Sequence, residues 1–174
     1  PIIPEFSPPV GRTLHSWQTL KGACIYRKVA KEEPRAKVAA FDLDNTLLEW
    51  RITGWPSRME HYELWNASVI NKLQKLHDDG YKLVIFSNQG AIRGALDGKK
   101  SIHVKRLLDW LARALDRPLF ALLSTKSKDA NEFHKPSPNM WFVAEKYCNG
   151  RQEFDVENSF FCGDSVGGED DAQG

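Results

Sequence analysis

The sequence predicts an α/β domain built on a parallel sheet with helices on both faces. Short apolar runs, which are typical of strands covered on both sides, alternate with segments whose apolar residues recur every three or four positions. This alternation of strand and helix favours parallel strands joined by right-handed crossovers. A length of 174 residues is enough for one domain with a sizeable core.

The chain begins with an extension over residues 1–36. Within it, Trp17 to Lys28 mixes apolar and polar residues and predicts one or two short strands at a sheet edge. We expect the main domain over residues 37–174. Because a doubly wound domain would continue with another helix and strand, we expect it to be truncated at its C-terminal end. No apolar run in the sequence is long enough to span a membrane, and we expect a monomer.

Four strands are predicted from apolar runs, over residues 38–41, 82–86, 119–123 and 159–162. Helical spacing predicts three helices, over residues 59–79 with Gly80 as the stop, over residues 99–115, and from Ser137-Pro138 onward. Alternation with Gly54 and Pro56 predicts a small hairpin flap over residues 49–56. The sequence leaves no room for a large cap.

Polar side chains follow each predicted strand where it ends. They are Asp42 and Asp44, Ser87 and Asn88, Lys135, and Asp164. The ends of parallel strands lie at one edge of a sheet, so we expect these side chains to converge. Three carboxylates with a hydroxyl, an amide and an ammonium group suit phosphoryl transfer assisted by Mg²⁺.

Bulk composition neither favours nor excludes a polyanionic partner, because 24 basic side chains face 23 acidic ones and the net charge is +1. The three cysteines are widely spaced and odd in number. They fit neither a disulfide framework nor a zinc cluster, which favours buried thiols in a reducing compartment.

The motifs themselves resemble those of a known superfamily. Phe41-Asp42-Leu43-Asp44-Asn45-Thr46-Leu47, Phe86-Ser87-Asn88-Gln89, Lys135-Pro136 and Gly163-Asp164 resemble the ordered motifs of the haloacid dehalogenase-like (HAD-like) phosphatases, which have a Rossmann-like sheet. The segments 80–89, Lys135-Pro136 followed by Met140-Trp141, and 159–164 resemble, more specifically, the polynucleotide kinase 3′-phosphatase family. The likeness runs from about Trp17 to Gly167.

This resemblance implies a Mg²⁺-dependent DNA 3′-phosphatase that removes 3′-phosphate from strand-break ends through an aspartyl-phosphate. It implies that Asp42 is the nucleophile and that Asp44 is first the general acid and then the general base. Ser87 and Lys135 would hold the phosphoryl group. Asp42, the main-chain carbonyl of Asp44, and Asp164 would hold Mg²⁺.

We expect four further residues to contact the substrate, namely Thr46, Asn88, Gln89 and Arg93. Basic residues that could meet DNA backbone phosphates are Arg51, Arg58, Arg93, Lys99, Lys100, Lys126 and Lys128. Trp50 and Trp55 could stack on an unpaired base or pack within the flap. The implied role in DNA repair leads us to expect a nuclear protein.

The sequence departs from the family pattern at three places: Asn45, Asn139, which stands where glycine usually precedes Met-Trp, and Gly168, which replaces a common arginine. Asn45 stands where the family usually has glycine, and asparagine is the next-best residue for a left-handed backbone. A second acid near the metal is expected after Asp164, and Glu169, Asp170 and Asp171 are all candidates.

Two alternatives remain. One is a HAD-type phosphatase for small molecules such as histidinol phosphate or a sugar phosphate, although the Cys/His zinc loop frequent in such enzymes is missing from this sequence. The other is a non-catalytic module that binds DNA ends. Nothing in the sequence resembles the phosphate-binding loop of a 5′-kinase, so we expect no kinase activity.

Overall fold

The computed structural model describes residues 17–29, 32–54, 56, 58–93, 98–125 and 131–165. These residues form eight strands: β1 (Trp17–Leu20), β2 (Cys24–Arg27), β3 (Val38–Phe41), β4 (Leu48–Trp50), β5 (Tyr62–Leu64), β6 (Lys82–Gln89), β7 (Phe120–Thr125) and β8 (Phe160–Cys162). The helices are α1 (Val69–Asp78), α2 (Lys99–Leu115) and α3 (Asn139–Val143), and α3 continues as a π-helical turn over Ala144–Cys148.

Six strands form the central sheet in the order β1-β2-β7-β6-β3-β8. The four strands β7, β6, β3 and β8 are parallel, whereas the hairpin of β1 and β2 joins β7 in antiparallel orientation. The predicted parallel sheet and the edge strands of the N-terminal extension are therefore confirmed. The parallel order also brings the carboxyl ends of β7, β6, β3 and β8 to the same edge.

Successive residues of β3 pack alternately into two separate hydrophobic cores. Ala39 and Phe41 of β3 pack in one core with Leu73 of α1 and with α2. Val38 and Ala40 pack in the other core with α3. Because side chains of a strand alternate between faces, helices on both faces are confirmed.

The predicted flap is wider than expected. β4 pairs with β5 in antiparallel orientation, so the hairpin extends to Leu64 and includes a 3₁₀ turn over Met59–His61. The prediction that a helix already begins at residue 59 was therefore wrong. Tyr62 and Leu64 are buried and Glu63 is half-buried, which is the alternation of a strand. The spacing from Tyr62 through Trp65 to Val69 imitates a helix, but pairing with β4 decides the conformation.

The helix boundaries have local causes. The side-chain oxygen of Asn66 accepts the Ser68 backbone N–H at 2.9 Å, and this turn leads into α1. Gly80 has a φ of 95°, a left-handed conformation that ends the helix as predicted. None of the helices within the described residues is long and apolar enough to cross a membrane.

β6 is longer than predicted. It runs past Phe86 to Gln89, because Ser87 to Gln89 pair with Leu123 to Thr125 of β7. The polar residues expected after the strand are thus its last residues. The domain limits 1–36 and 37–174 stay a prediction, since residues 1–16 and 166–174 lie outside the described residues.

Candidate active site

A cleft of about 630 Å³ lies at the carboxyl edge of the parallel strands. The six polar residues expected at the strand ends all line it: Asp42, Asp44, Ser87, Asn88, Lys135 and Asp164. Apolar side chains of Phe86, Pro136, Pro138, Met140, Trp141 and Phe161 also line the cleft. The site therefore combines a charged floor with an apolar wall.

Asp42 is fixed directly after β3. Its backbone N–H donates to the Cys162 carbonyl at 2.9 Å, which continues the pairing of β3 with β8. Its Oδ1 accepts the Leu43 backbone N–H at 2.7 Å, and its Oδ2 lies 2.9 Å from Nζ of Lys135. The two charged side chains are only 19% and 21% exposed. The carboxylate is thus oriented by one charged and one neutral donor at the base of the cleft.

Lys135 is held by its backbone as well as by its charge. The Asn88 amide Nδ2 donates to the Lys135 carbonyl at 3.2 Å, and the Lys135 backbone N–H donates to Asn88 Oδ1 at 2.8 Å. The Lys135 ammonium also lies 5.2 Å from the centre of the Phe161 ring, within range of a cation–π contact. The peptide bond between Lys135 and Pro136 is cis. The end of β6 therefore fixes the lysine.

Both carboxyl oxygens of Asp44 accept hydrogen bonds. Trp50 Nε1 donates to Oδ1 at 3.2 Å, and Gln89 Nε2 donates to Oδ2 at 2.9 Å. Burial raises the pKa of Asp44 above its ordinary value, and the hydrogen bonds from Trp50 and Gln89 oppose that rise. Gln89 Nε2 also donates to Ser87 Oγ at 2.9 Å, so the Ser87 hydroxyl keeps its own proton to donate.

A tight turn brings Asp164 toward Asp42. Asn45 has a φ of 55°, the left-handed conformation expected at this position, and its backbone N–H donates to the Leu48 carbonyl at 2.7 Å. Asn45 Nδ2 donates to Asp164 Oδ2 at 3.4 Å. A Cβ on Gly163 would lie 3.3 Å from Cβ of Asp42 and 3.1 Å from the Phe161 ring, so glycine permits this approach.

The donors of the expected metal site are compatible with Mg²⁺. In the described part of the chain, no three His, Cys, Asp or Glu side chains converge as a metal site. The expected set needs only two carboxylates, Asp42 and Asp164, which line the same cleft. From Asp44 the resemblance implies the main-chain carbonyl as a donor, while the Asp44 carboxylate accepts hydrogen bonds from Trp50 and Gln89. These are the hard oxygen donors that Mg²⁺ prefers.

The four residues expected to contact substrate lie in different surroundings. Asn88 lines the cleft, but its amide binds the Lys135 backbone. Gln89 is buried and bonds to Asp44, Arg93 is exposed, and the buried Thr46 hydroxyl has no hydrogen-bond partner among the described residues. Trp55, Lys126, Lys128, Glu169, Asp170 and Asp171 lie outside the described residues.

Sequence reasoning missed the roles of several neighbours. Trp50 was expected to stack or pack, yet its indole N–H reaches Asp44, which lies six residues before it. Phe161 was seen only as part of a strand, yet its ring lies beside Lys135. The predicted hairpin could have indicated that Trp50 folds back toward Asp44. No sequence signal indicates the contact of Phe161 with Lys135.

Comparison with known proteins places this site in a family. A family model described as polynucleotide kinase 3 phosphatase matches residues 37–173. The chain is 32% identical over 170 residues to a polynucleotide 3′-phosphatase of Arabidopsis thaliana, an alignment that covers 88% of this chain and 23% of the relative. It is 32% identical over 141 residues to a bifunctional polynucleotide phosphatase/kinase of Schizosaccharomyces pombe, covering 80% of this chain and 33% of the relative.

The chain thus spans about a quarter of the plant relative and a third of the yeast relative. A solved structure from Mesorhizobium loti, named as a HAD-like phosphatase, superposes with a TM-score of 0.65 at 17% identity. The superposition covers 85% of this chain and 73% of that one, and it establishes the HAD-like fold. With the family model matching most of its length, this chain belongs to the polynucleotide kinase 3 phosphatase family.

Proposed function

We propose that this chain is a Mg²⁺-dependent DNA 3′-phosphatase, a nuclear monomer that removes 3′-phosphate from strand-break ends during DNA repair. The observation that carries the proposal is the 2.9 Å contact of Lys135 with Asp42, in a cleft that Asp44 and Ser87 also line. The plant and yeast relatives, named polynucleotide 3′-phosphatase and bifunctional polynucleotide phosphatase/kinase, support the choice of substrate.

In the first step, an Asp42 carboxylate oxygen attacks phosphorus and the bond from phosphorus to the sugar 3′-oxygen breaks. The Lys135 ammonium reduces the repulsion between the carboxylate and the phosphate dianion. The Ser87 hydroxyl donates to a phosphate oxygen, and Asp44 gives its proton to the departing 3′-oxygen. The products of this step are a DNA 3′-hydroxyl and an aspartyl-phosphate on Asp42.

In the second step, Asp44 is ionised and takes a proton from a water molecule that attacks phosphorus. The Asp42 carboxylate leaves, inorganic phosphate is released, and Asp44 regains the proton that it gave up. Asp44 can serve both steps because its carboxyl group has one fixed position, set by donors at both oxygens.

Asp42, the Asp44 main-chain carbonyl and Asp164 would hold Mg²⁺. When bound, Mg²⁺ offsets the negative charge that the phosphate oxygens carry in the transition state.

The shape of the cleft supports a polymer end as substrate. Within the described residues, the segment between β3 and α1 forms a two-stranded hairpin rather than a cap domain. The apolar wall, which includes Met140, Trp141 and Phe161, offers surface to the sugar and base that carry the phosphate. An open, partly apolar site favours a nucleotide end over a small and fully polar phosphate ester.

The test is a comparison of phosphate release from oligonucleotides with 3′-phosphate or 5′-phosphate and from histidinol phosphate and sugar phosphates. We expect release from the 3′-phosphorylated oligonucleotide in Mg²⁺, and none after chelation. Equal or faster turnover of the small esters would instead favour the small-molecule phosphatase.

Asp42→Asn tests the nucleophile. We expect it to abolish turnover and to leave DNA affinity nearly unchanged, because the amide keeps the shape of the carboxyl group but cannot form the acyl phosphate. The matched control is Asp116→Asn, since the Asp116 side chain is 92% exposed. Retained turnover in Asp42→Asn would show that Asp42 is not the nucleophile. If the wild-type protein binds DNA but releases no phosphate, the non-catalytic module is favoured instead.

A further inference from the structure

We infer that Gln89 and Trp50 are positioning residues that align the Asp44 carboxyl group with the leaving oxygen of the substrate. The inference rests on the proposed function, because it assigns to Asp44 the transfer of a proton to that oxygen. It changes the expected role of Gln89, which was substrate contact, and that of Trp50, which was stacking.

Gln89 connects two polar groups of the proposed reaction, Asp44 at the leaving oxygen and Ser87 at the transferring phosphate. It is 4% exposed and lies at the end of β6, where its backbone pairs with Thr125 of β7. Its single Nε2 atom donates to Asp44 Oδ2 and to Ser87 Oγ, both at 2.9 Å. Ser87 and Asp44 therefore share one buried donor, and their separation is set by a side chain with little freedom to move.

Trp50 holds the other oxygen from a different element. Its indole Nε1 donates to Asp44 Oδ1 at 3.2 Å, and its backbone pairs with Tyr62 across the β4–β5 hairpin. One donor alone would let the carboxyl group rotate about the bond to Cβ. Two donors from separate elements, one at each oxygen, define the plane of the carboxyl group and hence the direction in which it presents a proton.

The leaving group distinguishes this role from a structural one. A sugar oxygen departs as an alkoxide unless it is protonated, so its loss depends on the alignment of Asp44. The nitrophenolate of p-nitrophenyl phosphate is a stable anion and departs without a proton. Misalignment of Asp44 therefore slows phosphoryl transfer from an alkyl ester much more than from this aryl ester, whereas a disturbed fold slows both.

The variants are Gln89→Leu, which removes the shared donor, and Trp50→Phe, which keeps an aromatic ring but removes the N–H. Matched controls are Gln74→Leu, whose amide donates to the Leu115 carbonyl at the end of α2, and Trp65→Phe, whose side chain is 52% exposed. The measured quantity is kcat/KM in Mg²⁺ for a 3′-phosphorylated oligonucleotide and for p-nitrophenyl phosphate. For each substrate, kcat/KM reports only the steps up to departure of the leaving group.

We expect each variant to lose about 10-fold or more on the oligonucleotide and less than about threefold on the aryl ester, because a well-placed general acid contributes roughly 10²- to 10⁴-fold. Equal losses on the two substrates would overturn the inference, and so would unchanged kinetics. If Gln89→Leu does not fold, Trp50→Phe decides the outcome, because Trp50 is 37% exposed.

Adding glycerol phosphate, a small alkyl ester, to the same measurement separates the inference from the proposed function. A wild-type protein that cleaves glycerol phosphate but not the oligonucleotide would refute the DNA substrate. The comparison of alkyl with aryl ester would then still decide the role of Gln89 and Trp50. A wild-type protein that hydrolyses no ester would overturn both.

Discussion

Replacing Lys135 with methionine would test the electrostatic core of the site. The substitution removes the ammonium group that lies 2.9 Å from Asp42, and it keeps an unbranched apolar side chain beside Phe161. The two bonds from Asn88 engage the Lys135 backbone, so they survive the change. The variant therefore alters charge with little change in the path of the chain.

The expected loss of activity can be bounded from this distance. Two unit charges 2.9 Å apart, at an effective dielectric constant of about 20, attract by about 6 kcal/mol before any desolvation cost is subtracted. Loss of one preorganised donor at the site of developing charge typically costs about 3 to 4 kcal/mol in the transition state. Because both side chains are about a fifth exposed, we expect the lower value of about 3 kcal/mol, which is a decrease in kcat of about 10²-fold.

The assay is kcat and KM for a 3′-phosphorylated oligonucleotide in Mg²⁺, with thermal unfolding measured in parallel. Asp42 keeps its bond from the Leu43 N–H and some solvent contact, so we expect Tm to change little. Lys72→Met on the exposed face of α1 is the matched control. A kcat within tenfold of wild type, in a Lys135→Met variant with unchanged Tm, would refute the electrostatic role of Lys135.

Three further changes probe the surroundings of the site and the fold. Gly163→Ala places a Cβ 3.1 Å from the Phe161 ring, and the resulting shift should lower kcat roughly 10-fold with little change in Tm. Asn88→Ala removes the two hydrogen bonds that hold the Lys135 backbone, so it should lower kcat. Because both changes act on Lys135, the double variant Asn88→Ala/Lys135→Met should lose less activity than the two separate losses combined. Lys82→Met, at a fully buried lysine 3.1 Å from Glu32, should lower the free energy of unfolding in urea by about 3 kcal/mol. Lys75→Met, at an exposed ion pair, should change it little.

Elements with long or fully apolar patterns could be predicted from the sequence. The 17-residue helix α2 has the bounds that its spacing predicted, because many apolar positions agree on one face over nearly five turns. β3 also has its predicted bounds, because its four residues are all buried and both cores need them. The polar residues of the site could be predicted for a related reason, since parallel strands place their ends at one edge.

The segments that were predicted wrongly depend on partners that are distant along the chain. Tyr62 to Leu64 is too short for its alternation to outweigh a helical spacing, and it is a strand because β4 offers an edge. The end of β6 was predicted as a loop because its residues are polar. Gln89 can be buried there because Asp44 and Ser87 accept hydrogen bonds from its amide. Those contacts join distant residues, so the local sequence pattern does not predict them.

The contacts among the site residues follow the lateral order of the sheet. Asn88 at the end of β6 holds Lys135, which follows β7; Gln89 of β6 reaches Asp44, which follows β3; and Asn45 reaches Asp164, which follows β8. Each of these contacts joins strands that are neighbours in the order β7-β6-β3-β8. A slip of β6 by one residue would turn Gln89 to the opposite face and would separate Asn88 from Lys135. The precision of the site therefore depends on the register of the sheet, and residues remote from phosphate can control the rate when they fix that register.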